Sequence, residues 1–497
     1  MAANAKSCAA KCARIAVDKD LPTPLYTQLY ENMRHEILSG TWENGEKLPS
    51  IRLLSSSLGV ARNTVEGAYK QLVLEGFAAS RPGSGYTVCA ESATQLSVPT
   101  VMPAKAPNAV SMPGVALHGA SGAKEFACDF RYGDMLASTF PLNDFKRAMN
   151  DALTKEDLSR FTSYGDPQGE LDLRVHIAWY LKDARGISCI PEQIVITNGT
   201  QSSIALILGM LSDIPKLIGV ENPGYNKIRG VIGDAGFAMA PLRSDAGADA
   251  FLEDVVNSNA RLFYTTPSHQ FPLGWCMSMD TKTQLMMTAA KANAFIIEDD
   301  YDSAYRYSAQ PVPALKSLDQ WDRVIYLGTF SKILSPALHL GYVVLPLQLV
   351  ERYTKTYVSS RHATVSQMDQ CALAHLMRQY AWTTHLHRIT LGYRKRHERL
   401  ISALAETFGS RVTLHTSDAG LFLLVSVHNG MNQQQLVDAA AREGVAVEST
   451  AQCWLNADDA PEDLIMLGFS AASDEMIDKG VELLERAWFG TSTEEIG

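Results

Sequence analysis

Six short apolar runs between residues 194 and 344 constrain this chain more than any other feature: IVIT (194–197), LIGV (217–220), LFYT (262–265), FIIE (295–298), VIYL (324–327) and LGYVV (340–344). Each is too short for a buried helix, and segments with helical periods or loop composition separate them. A strand without polar alternation is buried on both faces, so the runs predict an α/β domain whose sheet is covered on either side. After about Ser366 the pattern changes to long helical periods, then the strand candidates FLLVSV and IMLGFS, then a closing helix near 474–489. That portion predicts a smaller α+β subdomain.

A different pattern comes first. Leu25, Leu29, Met33 and Ile37 recur at helical spacing up to Gly40; a second helix is predicted from Ser50 to Leu58, before Gly59. A third starts near Arg62, with Val65, Tyr69 and Leu72 on one face, and ends near Gly76. The string FAASRPGSGYTV then has apolar ends around a Pro82, Gly83, Gly85 turn, a small hairpin. Three helices and a hairpin are the layout of a winged helix-turn-helix domain. Between the two patterns, residues 91–125 are rich in Ala, Ser and Pro, and Pro99, Pro103, Pro107 and Pro113 exclude helix interiors. The expected organisation is a tail (1–20), a winged helix-turn-helix domain (21–90), a linker (91–125) and the α/β domain (126–497).

In that layout the helix after Gly59 enters the major groove, with Arg62, Asn63 and Thr64 at its leading end. Arg62 and Asn63 suit bidentate base contacts, Ser50 and Thr64 phosphate or base edges, Arg52 a phosphate, and Arg81 lies on the wing. Each has a plainer reading: surface arginines are usually just solvated, and Thr64 could cap the third helix. The formal charge of -10 excludes a protein that coats nucleic acid uniformly, so DNA contact is expected on one local face.

The stretch LPSIRLLSSSLGVARNTVEGAYKQLVLEGFAASRPGSGYTV resembles the winged helix-turn-helix of the GntR superfamily, with a match from Leu25 to Val88. The resemblance implies that Ser50, Arg52, Arg62, Thr64 and Gly85 approach operator DNA, and that a dimer binds it in a sequence-specific, regulated way.

Polar groups gather after the strands of the larger domain, where open α/β sheets bind ligands. ITNGTQSS offers backbone N–H groups at Gly199, Thr200 and Gln201 on entry to a helix, suited to a phosphate. ENPGY presents Tyr225, EDDYDSAYRY presents Asp299, Asp300 and Tyr301, and GTFSK sets Lys332 beside Thr329 and Ser331. An amine, a carboxylate, a phenol, an aromatic face and an anion nest are the groups that hold pyridoxal 5'-phosphate (PLP) as a lysine Schiff base. The expected roles are Lys332 for the covalent link, Asp299 for the ring nitrogen, Tyr301 for the ring's phenolic oxygen and Tyr225 for stacking. A lone lysine is usually surface, and strand-end aspartates commonly cap loops; the ordered set is what argues for the site.

The region from about Phe126 to Phe489 resembles fold-type I aminotransferases, and specifically the MocR-type regulators that join such a domain to a GntR-like one. The strings that carry this are YGDPQG (164–169), ITNGTQ (196–201), ENPGY (221–225), TPSHQFPLG (266–274), IIEDDYDSAYRY (296–307) and YLGTFSK (326–332). The resemblance implies that Tyr164 reaches the phosphate across a dimer interface, and that His269 and Gln270 lie near the ring's phenolic side. It also implies homodimers in which one chain's DNA-binding domain packs on its partner's large domain. Two positions depart from the family. LHLGY places His339 where relatives carry a phosphate-binding arginine, and IMLGFS places Met466 where aminotransferases often carry a carboxylate-binding one. Lys227 or Arg229 could replace the latter.

Eight cysteines are too few for a disulfide scaffold, and Cys8 and Cys12 have no nearby partners for zinc, so no metal site is expected. With no run of 18 apolar residues and no signal-peptide core, a cytoplasmic protein away from membranes is expected. The leading reading is a regulator that binds operator DNA and senses an amine, an amino compound or PLP itself. The alternatives are a PLP-dependent aminotransferase whose N-terminal domain targets or dimerises it, and a DNA-binding protein whose aminotransferase-like domain is purely structural.

Overall fold

The computed structural model describes residues 15–18, 23–81, 85–89, 126–302, 304–307, 312–358 and 365–490. The chain falls into two compact units, 1–120 and 121–497, the division lying inside the interval 91–125. That interval, residues 1–14 and 19–20 of the expected tail and the Pro82–Gly83 part of the wing turn lie outside the described residues.

The first unit has helices Leu25–Leu38, Ile51–Leu58 and Arg62–Leu74, then strands β1 (Ala78–Arg81) and β2 (Gly85–Val88). The strands pair antiparallel with Arg81 opposite Gly85. The predicted apolar stripe is its core: Leu29, Met33 and Ile37 meet Leu54, Val65, Tyr69, Leu72 and Val88. Each such side chain removed from water stabilises the unit by about 1.5–3 kcal/mol. Residues 15–18, expected in the tail, lie on this core: Ile15 is 3% exposed, and the Asn32 amide donates to the Ala16 carbonyl at 2.7 Å.

The second unit opens with β3 (Cys128–Asp129) and is built on a seven-stranded sheet. Its strands are β4 (Ile194–Thr197), β5 (Leu217–Asn222), β6 (Ala238–Arg243), β7 (Leu262–Thr265), β8 (Phe295–Asp299), β9 (Val324–Thr329) and β10 (Gly341–Val344). The order is β4-β10-β9-β8-β7-β5-β6, and only β10 runs against the rest. Alternate residues enter opposite cores: Val195, Tyr264 and Ile297 pack on one side, Ile194, Ile196, Phe263 and Ile296 on the other. The sheet is therefore covered on both faces, as apolar strands require. β6 was not among the six expected runs. It is a half-exposed edge strand containing Pro241, which the edge tolerates.

The smaller sheet is antiparallel, in the order β11 (Val412–His415), β12 (Phe422–Val427), β15 (Leu464–Gly468), β14 (Glu448–Ser449). Helices Tyr380–Phe408 and Asp474–Phe489 accompany it in sequence. This subdomain is not built only from residues after 366, because β3 pairs with β13 (Val445–Ala446) and the Gly468 N–H donates to the Phe130 carbonyl at 2.6 Å.

Candidate functional site

The strand ends converge on a cavity of about 300 Å3 in the second unit. β4 leads into helix Gly199–Met210 through Gly199, whose φ of +74° suits glycine. A Cβ at Gly341 would come within 3.1 Å of the Gly199 Cα, so the first turn of this helix lies close to β10. The first-turn N–H groups of such a helix have no intrahelical acceptors. β5 leads to Tyr225, β8 to Asp299 and Tyr301, and β9 to Thr329, Ser331 and Lys332. Because β10 is reversed, His339 (φ +46°), two residues before it, comes to the same end of the sheet.

Gly199, Thr200, Gln201, Tyr225, Lys227, Asp299, Tyr301, Thr329, Ser331, Lys332 and His339 all line the cavity, joined by Tyr132, Gly133, Tyr264, Phe271 and Glu448. The Lys332 ammonium donates to the Gly133 carbonyl at 2.8 Å and sits 4.4 Å from the centre of the Tyr132 ring. Burial, then the nearby Lys227, pushes its pKa down to about 8. The Asp299 carboxylate accepts the Tyr264 hydroxyl at 2.6 Å, yet burial pushes its pKa up to about 7. Burial and the Asp302 charge hold the Tyr301 phenol well above its usual range, so it remains a hydrogen-bond donor. Its oxygen lies 3.0 Å from His269 Nδ1, which is also 2.7 Å from Asp302 Oδ2, while His269 Nε2 is 3.1 Å from Ser417 Oγ.

Other expected residues stand elsewhere. His269 does not line the cavity and meets one of its lining residues, Tyr301. Gln270 is buried in its own loop, donating to the Pro223 and Phe271 carbonyls at 2.8 and 2.7 Å and accepting the Leu273 N–H at 3.0 Å. Tyr164 is 77% exposed and outside the cavity. Arg229 is outside the cavity lining, and its guanidinium donates to the backbone carbonyls of Gln452 (3.0 Å), Trp454 (2.7 Å) and Cys453. Met466 is buried in an apolar cluster with Phe271, Phe422 and Leu424.

Tyr264 had a sequence signal, a hydroxyl inside the apolar run LFYT. Tyr132, Gly133 and Glu448 had none, since they come from segments far away in the chain.

In the first unit, Ser50 caps helix Ile51–Leu58 by accepting the Leu53 N–H at 3.2 Å, and Gly59 ends that helix at φ +61°. Arg52, Arg62 and Asn63 are exposed and Thr64 is half-buried. Thr64 is not the cap of the third helix, because Ala61 occupies that position and receives the Thr64 N–H at 3.1 Å. Gly85 has φ +82° beside Arg81 in the hairpin. Among the described residues there is no His, Cys, Asp and Glu cluster fit for a metal, and no helix long and apolar enough to cross a membrane.

The family model for aminotransferase class I and II matches residues 129–484, and that for bacterial regulatory proteins of the gntR family matches residues 25–88. The chain is 35% identical to the uncharacterized HTH-type transcriptional regulator YhdI of Bacillus subtilis (strain 168), over 95% of this chain and 97% of that protein. It is 31% identical to the probable rhizopine catabolism regulatory protein MocR of Rhizobium meliloti, over 95% and 96%. Among solved structures, an archaeal alanine:glyoxylate aminotransferase superposes with a TM-score of 0.65 at 26% identity, over 73% of this chain and 90% of that one. The LysN α-aminoadipate aminotransferase of Thermus thermophilus shares the fold with a TM-score of 0.65 at 23% identity, over 74% and 93%. A gntR-type helix-turn-helix region and a domain of aminotransferase fold thus lie in one chain, and matches over nearly its whole length show that it belongs to the MocR-type transcription regulators.

Proposed function

We propose that the chain regulates transcription by binding operator DNA through residues 25–88 and by sensing a primary amine, an amino compound or PLP itself through PLP held in the 300 Å3 cavity. The observation that carries this reading is that Lys332 and Asp299 line one cavity and burial drives both toward their neutral forms. When bound, PLP supplies an electrophilic carbonyl carbon for an amine and a ring nitrogen whose positive charge would compensate Asp299. The residues present fit it. The Asp299 carboxyl, raised to about 7, faces the cavity, and among the described residues its side-chain hydrogen-bond partner is a neutral phenol, which is the environment a cationic ring nitrogen would complete.

In this reading Lys332 makes the covalent attachment, a role favoured by an amine that loses its proton near pH 8. Tyr301 donates to the ring oxygen and is itself fixed by His269, while Tyr225 covers a ring face. The Thr200 and Gln201 N–H groups and the Thr329 and Ser331 hydroxyls take the phosphate with His339, and Tyr164 of a second copy completes that end in a homodimer. On DNA, Arg62, Asn63 and Thr64 read the major groove, Ser50 and Arg52 hold phosphates, and Arg81 and Gly85 belong to the wing.

An effector can change DNA occupancy only if it binds two arrangements of the protein unequally. The test is operator-fragment affinity of the full chain loaded with PLP, with and without a panel of amines, paired with product analysis. A change in DNA affinity without turnover is expected. Repeated conversion to a keto or aldehyde product with unchanged DNA affinity would replace this reading by that of an aminotransferase.

A further inference from the structure

One cavity wall carries a carboxylate that the roles above do not use. Glu448, on β14, lines the cavity. Its Oε2 accepts the Tyr132 N–H at 3.1 Å and its Oε1 the Gln452 side-chain amide at 3.3 Å. Both partners are neutral, and a carboxylate offers about four acceptor sites, so half of its capacity remains.

The sheet register extends the argument. Glu448 is directly opposite Met466, which is opposite Leu424, and directly opposed residues of antiparallel strands share a face. Met466 and Leu424 pack in the cluster that includes Phe271, Tyr225 and Tyr301 of the cavity. Glu448 lines the cavity while Met466 and Leu424 of the same row are buried in that cluster, so the row offers a ligand an anion and no cation. Of the cations near this row, Arg131 pairs with Asp129, Arg229 is held by three backbone carbonyls, and Lys332 is reserved for covalent attachment. Lys227 also lines the cavity and its charge acts on Lys332, but it follows β5 and is not part of this row. Against this wall a ligand carboxylate would meet a like charge, whereas an ammonium or guanidinium would meet its counter-charge beside the rings of Tyr132 and Tyr225.

We infer that the effector is a primary amine that carries a second cationic group and no carboxylate, in its simplest form an α,ω-diamine, with Glu448 receiving the second cation. The inference rests on the PLP reading above. Its test is spectrophotometric titration of the full chain, loaded with PLP, with 1,5-diaminopentane, pentylamine and 5-aminopentanoate. The diamine should bind roughly tenfold or more tightly than either comparison. Glu448→Gln should erase the preference over pentylamine, and Glu448→Lys should reverse it toward 5-aminopentanoate. A visible cofactor band with equal affinities, with 5-aminopentanoate preferred, with no response to any of the three, or with the diamine preference intact in Glu448→Gln would overturn this inference alone. Absence of a cofactor band in wild-type protein saturated with PLP would overturn the PLP reading, and the inference with it.

Discussion

The Arg185 guanidinium grips the Asp300 carboxylate at two points, Nε to Oδ2 at 2.7 Å and Nη2 to Oδ1 at 3.2 Å, with both side chains buried. Asp300 stands between Asp299 and Tyr301, so the pair fixes the segment that carries both. Arg185 also donates to Ser268 Oγ at 2.9 Å and to the Val312 carbonyl at 3.2 Å, and Tyr326 donates to Asp300 at 2.5 Å. Removing one partner leaves a buried charge alone, so Arg185→Ala should cost about 3–5 kcal/mol. Asp300→Asn added to it should recover part of that loss, because the orphaned charge is gone. Denaturant unfolding of the full chain measures both, and a single-variant loss below about 1 kcal/mol would contradict the role.

Asp299 makes stability depend on pH. Its folded pKa of about 7 lies above the unfolded value of about 3.9, so the folded state holds the proton more tightly. The stability this contributes is complete below about pH 4 and lost as pH rises through about 7. Asp299→Asn removes the dependence, so without cofactor the variant should melt above wild type at about pH 8, and that advantage should vanish toward about pH 4. Thermal scans at both pH values decide it; an advantage of equal size at both would show that burial of the ionised carboxylate is not its source.

Lys332 predicts the rate of cofactor capture. Only the neutral amine attacks a carbonyl, so capture followed by absorbance should quicken roughly tenfold per pH unit below the pKa and level off above about 8. Lys227→Ala should move the inflection upward, since Lys227 is the second cause of the lowered value. Lys332→Ala should leave no link that borohydride reduces. Pyridoxyl found by peptide mass analysis on another lysine would displace the assignment.

At the DNA-binding end, stability and affinity should separate. Arg62→Ala should weaken operator binding with little change in melting temperature, because the side chain is exposed. Ser50→Ala should cost about 1 kcal/mol of stability through the lost helix cap. Ser50→Asp keeps a capping acceptor but should repel the phosphates, giving normal melting and weak binding. Normal operator titrations of Arg62→Ala and Ser50→Asp would remove both residues from the interface.

Gly420 supports Tyr301 from two steps away. A Cβ there would fall 2.2 Å from His269 Cε1 and 2.9 Å from Nδ1, on a backbone with φ +92°. Gly420→Ala should therefore displace His269, cost about 1–3 kcal/mol and shift the cofactor's visible band. Gly430 has φ +77° with nothing within 4 Å of its Cβ, so Gly430→Ala should carry the backbone strain and leave the band in place. Equal spectra for the two variants would contradict the His269 contact.

Where a residue's burial is written into its neighbours, the sequence was legible. LFYT is β7, FLLVSV is β12, and the closing helix spans Asp474–Phe489 as its apolar period indicates. The groups after the strands, Asp299, Tyr301 and Lys332 among them, share one cavity because strand ends in such a sheet share one edge. β6 escaped because an edge strand with Pro241 lacks the apolar signature, and the reversal of β10, which brings in His339, leaves no trace in composition.

What the sequence determined by itself is thus local: the two patterned regions, the places of the apolar strands, and the residue types delivered to the strand ends. Tertiary structure alone decided which of them meet. Lys332 binds the carbonyl of Gly133, 199 residues earlier, and Tyr132 hydrogen-bonds Glu448, 316 residues later. It also set the Arg229 guanidinium on three backbone carbonyls more than 220 residues later. Periodicity and composition report how each segment is buried; which side chain ends within about 3 Å of another depends on packing across the whole unit, which no local window contains.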